Sequence, residues 1–320
     1  MSIKTSGLHH VTAIGGDPQR NADFYLRTLG LRLVKTTVNF DDPGTYHLYY
    51  GDEAGRPGSL MTFFPWPAAP RGRRGSGQAT TTSFSVPADS IGWWRDHLAA
   101  AGVTTGRIVN RDGEDVLTFD DPDGLQVALV AHPQGDPRAP WDNGFVPAER
   151  AIRGLHSVTL SVTGEEATAE TLRELGLSFA GQDSNRLRFT AGDGGPGAIV
   201  DVLVTPGTPR GLVSTGTVHH VAWRAPDEPT QAAWREELLD RGVKVTSILD
   251  RQYFRSIYFR EPGGTLLEVA TDQPGFAVDE PLLELGRALK LPPWLEPDRE
   301  QIEHALPKLD LPRENNPELV

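Results

Sequence analysis

An α+β fold assembled from four copies of one βαβββ module is what this 320-residue sequence predicts. Three observations carry that reading. Four segments of similar length read as amphipathic helices closed by glycine. A short strand pattern precedes each of them, and each copy ends in a tight turn leading into a strong apolar strand.

In the first copy "LHHVTAI" (8–14) precedes the helix "DPQRNADFYLRTLG" (17–30), and "RPGSLMTFF" (56–64) closes the unit. Asp17 followed by Pro18 is good N-cap chemistry, and the terminal glycine suits a left-handed position after the last turn. The second copy runs from "TTTSFSV" (80–86) through "SIGWWRDHLAAAG" (90–102), with Ser90 as the expected cap, to "DPDGLQVALV" (121–130). The third holds "LHSVTLS" (155–161), "GEEATAETLRELG" (164–176) and "GPGAIVDVLV" (195–204). The fourth holds "VHHVAWR" (218–224), "DEPTQAAWREELLDRG" (227–242) and "EPGGTLLEVA" (261–270). Pro and Gly supply the turns, β-branched and apolar residues the strands. Residues 132–150, rich in Pro, Gly and charge, read as a linker. The expected organisation is modules one and two over 1–135, the linker over 136–150 and modules three and four over 151–275. A C-terminal tail over 276–320 then packs on them.

Strand alternation sorts the histidines. Val11 and Ala13 share the face that packs on the helix, so His10 and Thr12 face the other way. In the fourth copy Val221 and Trp223 likewise leave His220 and Ala222 on the inner face. His9 and His219, the first of each pair, point across the sheet or stand behind the inner histidines. His156 reads as a core histidine with its hydrogen bonds satisfied. His47, His97, His132 and His304 read as structural or solvated.

Six residues after the turn proline the four copies hold Phe63, Ala128, Val202 and Glu268. Only the fourth is a carboxylate, and an ionised Glu on an inner face is costly unless it is paired or bound to a cation. With His10 and His220 it completes a two-histidine, one-carboxylate set, the donor set of non-haem Fe(II) oxygen chemistry. One metal site is expected, not two.

Composition narrows the rest. There is no cysteine, hence no disulfide, thiol nucleophile or thiolate metal site, and any metal falls to histidine and carboxylate. A net charge of −12 argues against a nucleic-acid partner. Arg71, Arg73 and Arg74 read as a solvated loop. No apolar run approaches the roughly 20 residues of a membrane helix, and the first residues carry no hydrophobic signal core. The expected location is the cytoplasm, away from membranes.

Four such modules with His, His and Glu at these positions resemble the vicinal oxygen chelate superfamily, in which paired modules form two cup-like barrel domains. Across nearly the whole chain the pattern looks like a ring-cleaving extradiol dioxygenase. Its most specific match is "IYFREPGGTLLE" (257–268), where Ile257, Tyr258, Glu261, Pro262, Gly264 and Glu268 fit the type I extradiol signature in register. That signature opens with an acid–base histidine, and here Arg251 holds its slot. Arginine stays protonated and is no general base. In this the chain is similar to the hydroquinone-cleaving branch, as are its doubled histidines and "TYHLYYGDEAGRPGSLMTFFP" (45–65).

The resemblance implies Fe(II), or Mn(II), held by His10, His220 and Glu268, with an aromatic diol and O2 as partners and room for a homo-oligomer. It further implies that Arg251 stabilises negative charge on the substrate oxygen or on dioxygen and that Tyr258 donates to the bound hydroxyl. His219 or His9 would then carry the proton. Three alternatives stay open: catechol extradiol cleavage, a glyoxalase-type metal isomerase, and a non-catalytic binding protein of the same fold. Phe63 in the first module's carboxylate column speaks against the isomerase, which needs a further Glu or Gln ligand there. Glu268 speaks against the binding protein.

Overall fold

The computed structural model describes residues 3–142 and 145–311. Module one is β1 (Leu8–Gly15), α1 (Pro18–Asp23), β2 (Arg32–Asn39), β3 (Asp42–Gly51) and β4 (Leu60–Pro65). Module two is β5 (Gln78–Val86), α2 (Ile91–Ala100), β6 (Val109–Arg111), β7 (Glu114–Asp120) and β8 (Gln126–Ala131). Module three is β9 (Gly154–Val162), α3 (Glu166–Glu174), β10 (Ser178–Asp183), β11 (Arg186–Thr190) and β12 (Ile199–Val204). Module four is β13 (Thr217–Ala225), α4 (Glu228–Asp240), β14 (Leu249–Asp250), β15 (Phe254–Arg260) and β16 (Leu266–Pro274).

Local chemistry explains the helix ends. The Asp17 and Asp227 carboxylates accept from the backbone N–H of Arg20 and Thr230. The glycines after the four helices, Gly30, Gly102, Gly176 and Gly242, all take positive φ, between 69° and 89°. Ser90 departs from expectation. Its hydroxyl donates to the Pro87 carbonyl at 2.6 Å, so it does not cap α2.

The modules join in pairs into two eight-stranded sheets, each curled into a half-barrel. One sheet has the order β14-β15-β16-β13-β1-β4-β3-β2, the other β10-β11-β12-β9-β5-β8-β7-β6. The fold class is the expected one, but the pairing is not. Module one shares its sheet with module four, and module two with module three, instead of neighbours in sequence pairing with each other. Each module leaves its first strand at a free edge, and two such edges zip antiparallel, β1 on β13 and β5 on β9. All four modules offer the same kind of edge, so local sequence does not choose the partner.

The faces divide as alternation demands. Val11, Ala13, Val221 and Trp223 are fully buried in the core that includes the helices' apolar faces. Ala222, on the opposite face, belongs to a smaller cluster with Tyr49, Phe254 and Phe276 on the inner side of the first sheet.

The tail packs along module one. Leu289 bridges to Thr36, Thr37 donates to the Lys290 carbonyl, and the fully buried Lys35 ammonium is clasped by Asp279 and Glu280. Helix α5 (Arg299–Ala305) adds Ile302 to a cluster with Val38 and Leu291. The end of the expected tail (312–320) and two linker positions (143 and 144) lie outside the described residues. Among the described residues no helix is long and apolar enough to cross a membrane.

Candidate functional site

Four adjacent strands place one row of side chains. His10 on β1 stands opposite Ala222 on β13, Ala222 opposite Glu268 on β16, and Glu268 opposite Tyr258 on β15. His220 lies two residues before Ala222 and therefore on the same face. The result is a tight cluster. His10 Nε2 and His220 Nε2 are 3.3 Å apart, and Glu268 Oε2 lies 3.3 Å from the first and 2.9 Å from the second. Neighbouring ligands about 2.1 Å from one ion stand about 3 Å apart, so these three atoms are spaced as one ion would need. Among the described residues they are the one group of three or more His, Cys, Asp or Glu that could jointly hold a metal.

The doubled histidines explain how the donors are aimed. His9 Nε2 faces the Thr271 carbonyl at 3.2 Å, which only accepts, so Nε2 carries the proton. Burial first, and His10 next, hold His9 well below the usual histidine range, so the ring is neutral and its Nδ1 is bare. That bare nitrogen accepts from His10 Nδ1 at 2.9 Å, which leaves His10 Nε2 as a lone pair directed into the cluster. The second pair repeats the contact, with His219 Nδ1 2.7 Å from His220 Nδ1. Glu268 is fully buried. Its Oε1 accepts from Ser256 at 2.5 Å, while Oε2 has no hydrogen-bond donor. A buried anionic oxygen facing two imidazole lone pairs is satisfied when a cation lies between them. The donor set fits a divalent metal.

The cluster floors a cavity of about 350 Å³ with aromatic walls, including Phe64, Trp66 and Phe254. Arg251, Tyr258 and His219 line it as well, whereas His9 does not and acts only behind His10. Arg251 Nε donates to Tyr258 Oη at 3.3 Å and its Nη2 to Asp41 at 3.0 Å. Burial lowers this guanidinium, but Tyr258 and Asp41 more than compensate and keep it charged. Burial, and next Glu268, raise the Tyr258 phenol, so it remains a neutral donor. Burial and then His220 lower His219 to about 3, so the ring is neutral; its Nδ1 is taken up by His220 and its other nitrogen carries the hydrogen.

The carboxylate column needs correcting. Strand pairing equates Glu268 with Thr62, Ala128 and Asp201, not with Phe63 and Val202. The third module thus does carry a carboxylate, but Arg188 answers it. Arg188 stands opposite Asp201 as Tyr258 stands opposite Glu268, donating to Asp201 at 2.9 Å and to Glu114 at 2.9 Å. Ser157 and Thr81 fill the places of the inner histidines. His156 Nε2 donates to the Glu114 carboxylate at 2.9 Å and is fully buried, the satisfied core histidine expected. Thr62, like Phe63, offers no further carboxylate or amide ligand to the first cup. Sequence reading missed His47, which belongs to the cavity wall with Tyr49. Their i, i+2 spacing in "TYHLYY" was the available signal.

Comparison with known proteins agrees with this architecture. The chain belongs to the Glyoxalase/Bleomycin resistance protein/Dioxygenase superfamily, whose pattern matches residues 7–129 and 154–269. Within it, the chain is 46% identical over 308 residues to "Putative ring-cleaving dioxygenase MhqO" of Bacillus subtilis, covering 96% of this chain and 97% of that protein. It is 36% identical over 310 residues to the chlorohydroquinone/hydroquinone 1,2-dioxygenase of Sphingobium indicum, covering 93% and 95%. A solved "putative dioxygenase" of Bacillus subtilis superposes with a TM-score of 0.93 at 44% identity, over 98% of this chain and 100% of that one. Glyoxalase I from Zea mays, at 15% identity and a TM-score of 0.62 over 83% and 92%, shares the fold alone.

Proposed function

We propose that this chain is a ring-cleaving dioxygenase that takes a hydroquinone-type aromatic diol and O2, with Fe(II) held by His10, His220 and Glu268. One observation carries the reading: the undonated Glu268 Oε2 meeting two imidazole nitrogens at 2.9 and 3.3 Å on the floor of an aromatic cavity. The names of the relatives described above support the substrate class. A metal held by these three residues would have coordination positions to spare and would supply activation of the ring oxygen and dioxygen.

The protein's own groups then divide the work. His219, neutral and on the cavity wall with its Nδ1 turned to His220, offers the N–H of its other ring nitrogen to the diol oxygen. Arg251, charged and flush with the cavity, offsets the negative charge left on that oxygen. Tyr258 donates a hydrogen bond beside it without ligating, and the aromatic walls hold the ring and exclude water. His9 acts on none of the reacting atoms; it fixes the tautomer of His10. With Thr62 in the first module's column, an isomerase would lack its fourth protein ligand.

Anaerobic purification followed by metal analysis and oxygen uptake tests the reading. About one iron per chain is expected, with hydroquinone preferred over catechol by more than about tenfold in kcat/KM, near 1.4 kcal/mol. A preference of that size for catechol overturns the substrate class. Iron-loaded protein that consumes no oxygen with either diol overturns the function.

A further inference from the structure

The wall across the cavity from Tyr258 carries a polar pair that the reaction above does not use. β3 contributes His47 and Tyr49, and both line the cavity. Tyr49 Oη lies 2.8 Å from His47 Nδ1, and His47 Nε2 lies 2.9 Å from Thr62 Oγ1, which in turn lies 2.7 Å from Thr12 Oγ1. Both ring nitrogens of His47 are therefore engaged. The ring is also clamped between Tyr49 and Phe64, at centroid distances of 3.9 and 4.3 Å. Tyr49 is only 1% exposed, and among the described residues its hydroxyl has the single partner His47. A phenol can donate once and also accept, so hydrogen-bonding capacity remains on the cavity side.

Sheet order decides what that capacity faces. Along β15-β16-β13-β1-β4-β3 the three candidate ligands sit in the middle, Tyr258 to one side, His47 and Tyr49 to the other. The curl brings these sides face to face, and Asp41, in the turn leading into β3, reaches Arg251 at 3.0 Å. A 1,2-diol can place both oxygens on one metal and leaves none for a distant wall. A 1,4-diol cannot, because its second oxygen lies at the far end of the ring and needs a partner from the protein. Tyr258 and Arg251 are committed beside the metal-side oxygen. We propose that Tyr49, held in place by His47, binds the second hydroxyl of an aromatic 1,4-diol, so that Tyr49 positions the substrate and His47 positions Tyr49. The inference rests on the function proposed above.

Calorimetric titration of the iron-loaded protein without oxygen tests it, using hydroquinone and also phenol, which lacks the second hydroxyl. The unmodified protein should bind hydroquinone more tightly than phenol. Tyr49→Phe should weaken hydroquinone about tenfold and leave phenol and the iron content unchanged. His47→Phe should behave alike, and His47→Gln, whose amide can bond both neighbours, should recover part of the loss. If Tyr49→Phe weakens both ligands equally, or leaves hydroquinone untouched, the assignment is wrong. If the unmodified protein binds neither ligand, the functional reading fails and takes this inference with it.

Discussion

Each inner histidine is aimed by the residue before it, and that single-residue device sets distinct expectations for substitution. Glu268→Gln or His220→Ala should remove tightly bound iron and with it oxygen uptake, whereas His156→Ala should leave both in place. Metal analysis of the purified variants decides this. If the His156 variant loses metal while His10→Ala keeps it, the ligands lie in the wrong cup. Loss of the His9 ring frees the tautomer of His10 without removing a ligand, so His9→Ala should weaken metal affinity by about 10- to 100-fold. Tyr258→Phe keeps the ring and deletes one donor. Its kcat should fall on the order of 10²-fold with iron retained, and full turnover would reduce the residue to packing. At this scale the ligands were legible because alternation fixes a side chain's face and because a carboxylate amid "TLLEVA" has few bland explanations. Asp201 was not legible. The turns after Pro57 and Pro196 are one residue shorter to the equivalent position than those after Pro122 and Pro262, so counting from proline slipped by one. The role of His47 was hidden for another reason: a cavity wall is made by curling a sheet, and curl leaves no mark on a single strand.

The strands and helices themselves followed from period and punctuation, and all four modules stand where the repeats put them. What the repeats could not specify was partnership, since a ladder of backbone hydrogen bonds reads the same between any two free edges. Side chains at the seam and the long connections choose, and neither has a local pattern. The tail is the other element without a periodic signal; it holds β2 through contacts made one residue at a time. Lys35 is its clearest anchor, with its ammonium buried against Asp279 and Glu280 and over the Tyr253 ring at 4.9 Å. Lys35→Ala leaves two carboxylates facing each other without a cation. Breaking a buried pair on one side typically costs 3–5 kcal/mol, so unfolding in urea should show a loss of roughly that size. A change within about 0.5 kcal/mol would mean that the tail detaches at little cost.

For the molecule as a whole, the crossed pairing makes each half of the chain incomplete. A fragment ending in the linker would expose the edges of β1 and β5, which pair with β13 and β9 in the intact chain. Such a fragment should aggregate alone; a monodisperse, cooperatively folded one in gel filtration would show that the halves are independent. Acid stability should in turn report on the second cup. Burial raises Glu114, but His156 and Arg188 outweigh it and hold its pKa at about 2. A depressed carboxyl contributes fully above its ordinary value near 4.5 and loses that contribution as pH falls toward 2. Glu114→Gln should therefore be less stable at neutral pH and show a flatter decline below about pH 4.5, read from denaturant midpoints. In that same cup Arg188 occupies the centre, a cation fastened to the chain by covalent bonds. Chelators cannot extract it. Treatment with a strong chelator should thus loosen the two cups unequally: amides on β1, β13 and β16 should exchange faster with solvent deuterium, while those on β9, β11 and β12 keep their rates. One half of the molecule would depend on what the medium supplies, and the other would carry its own counter-charge wherever it goes.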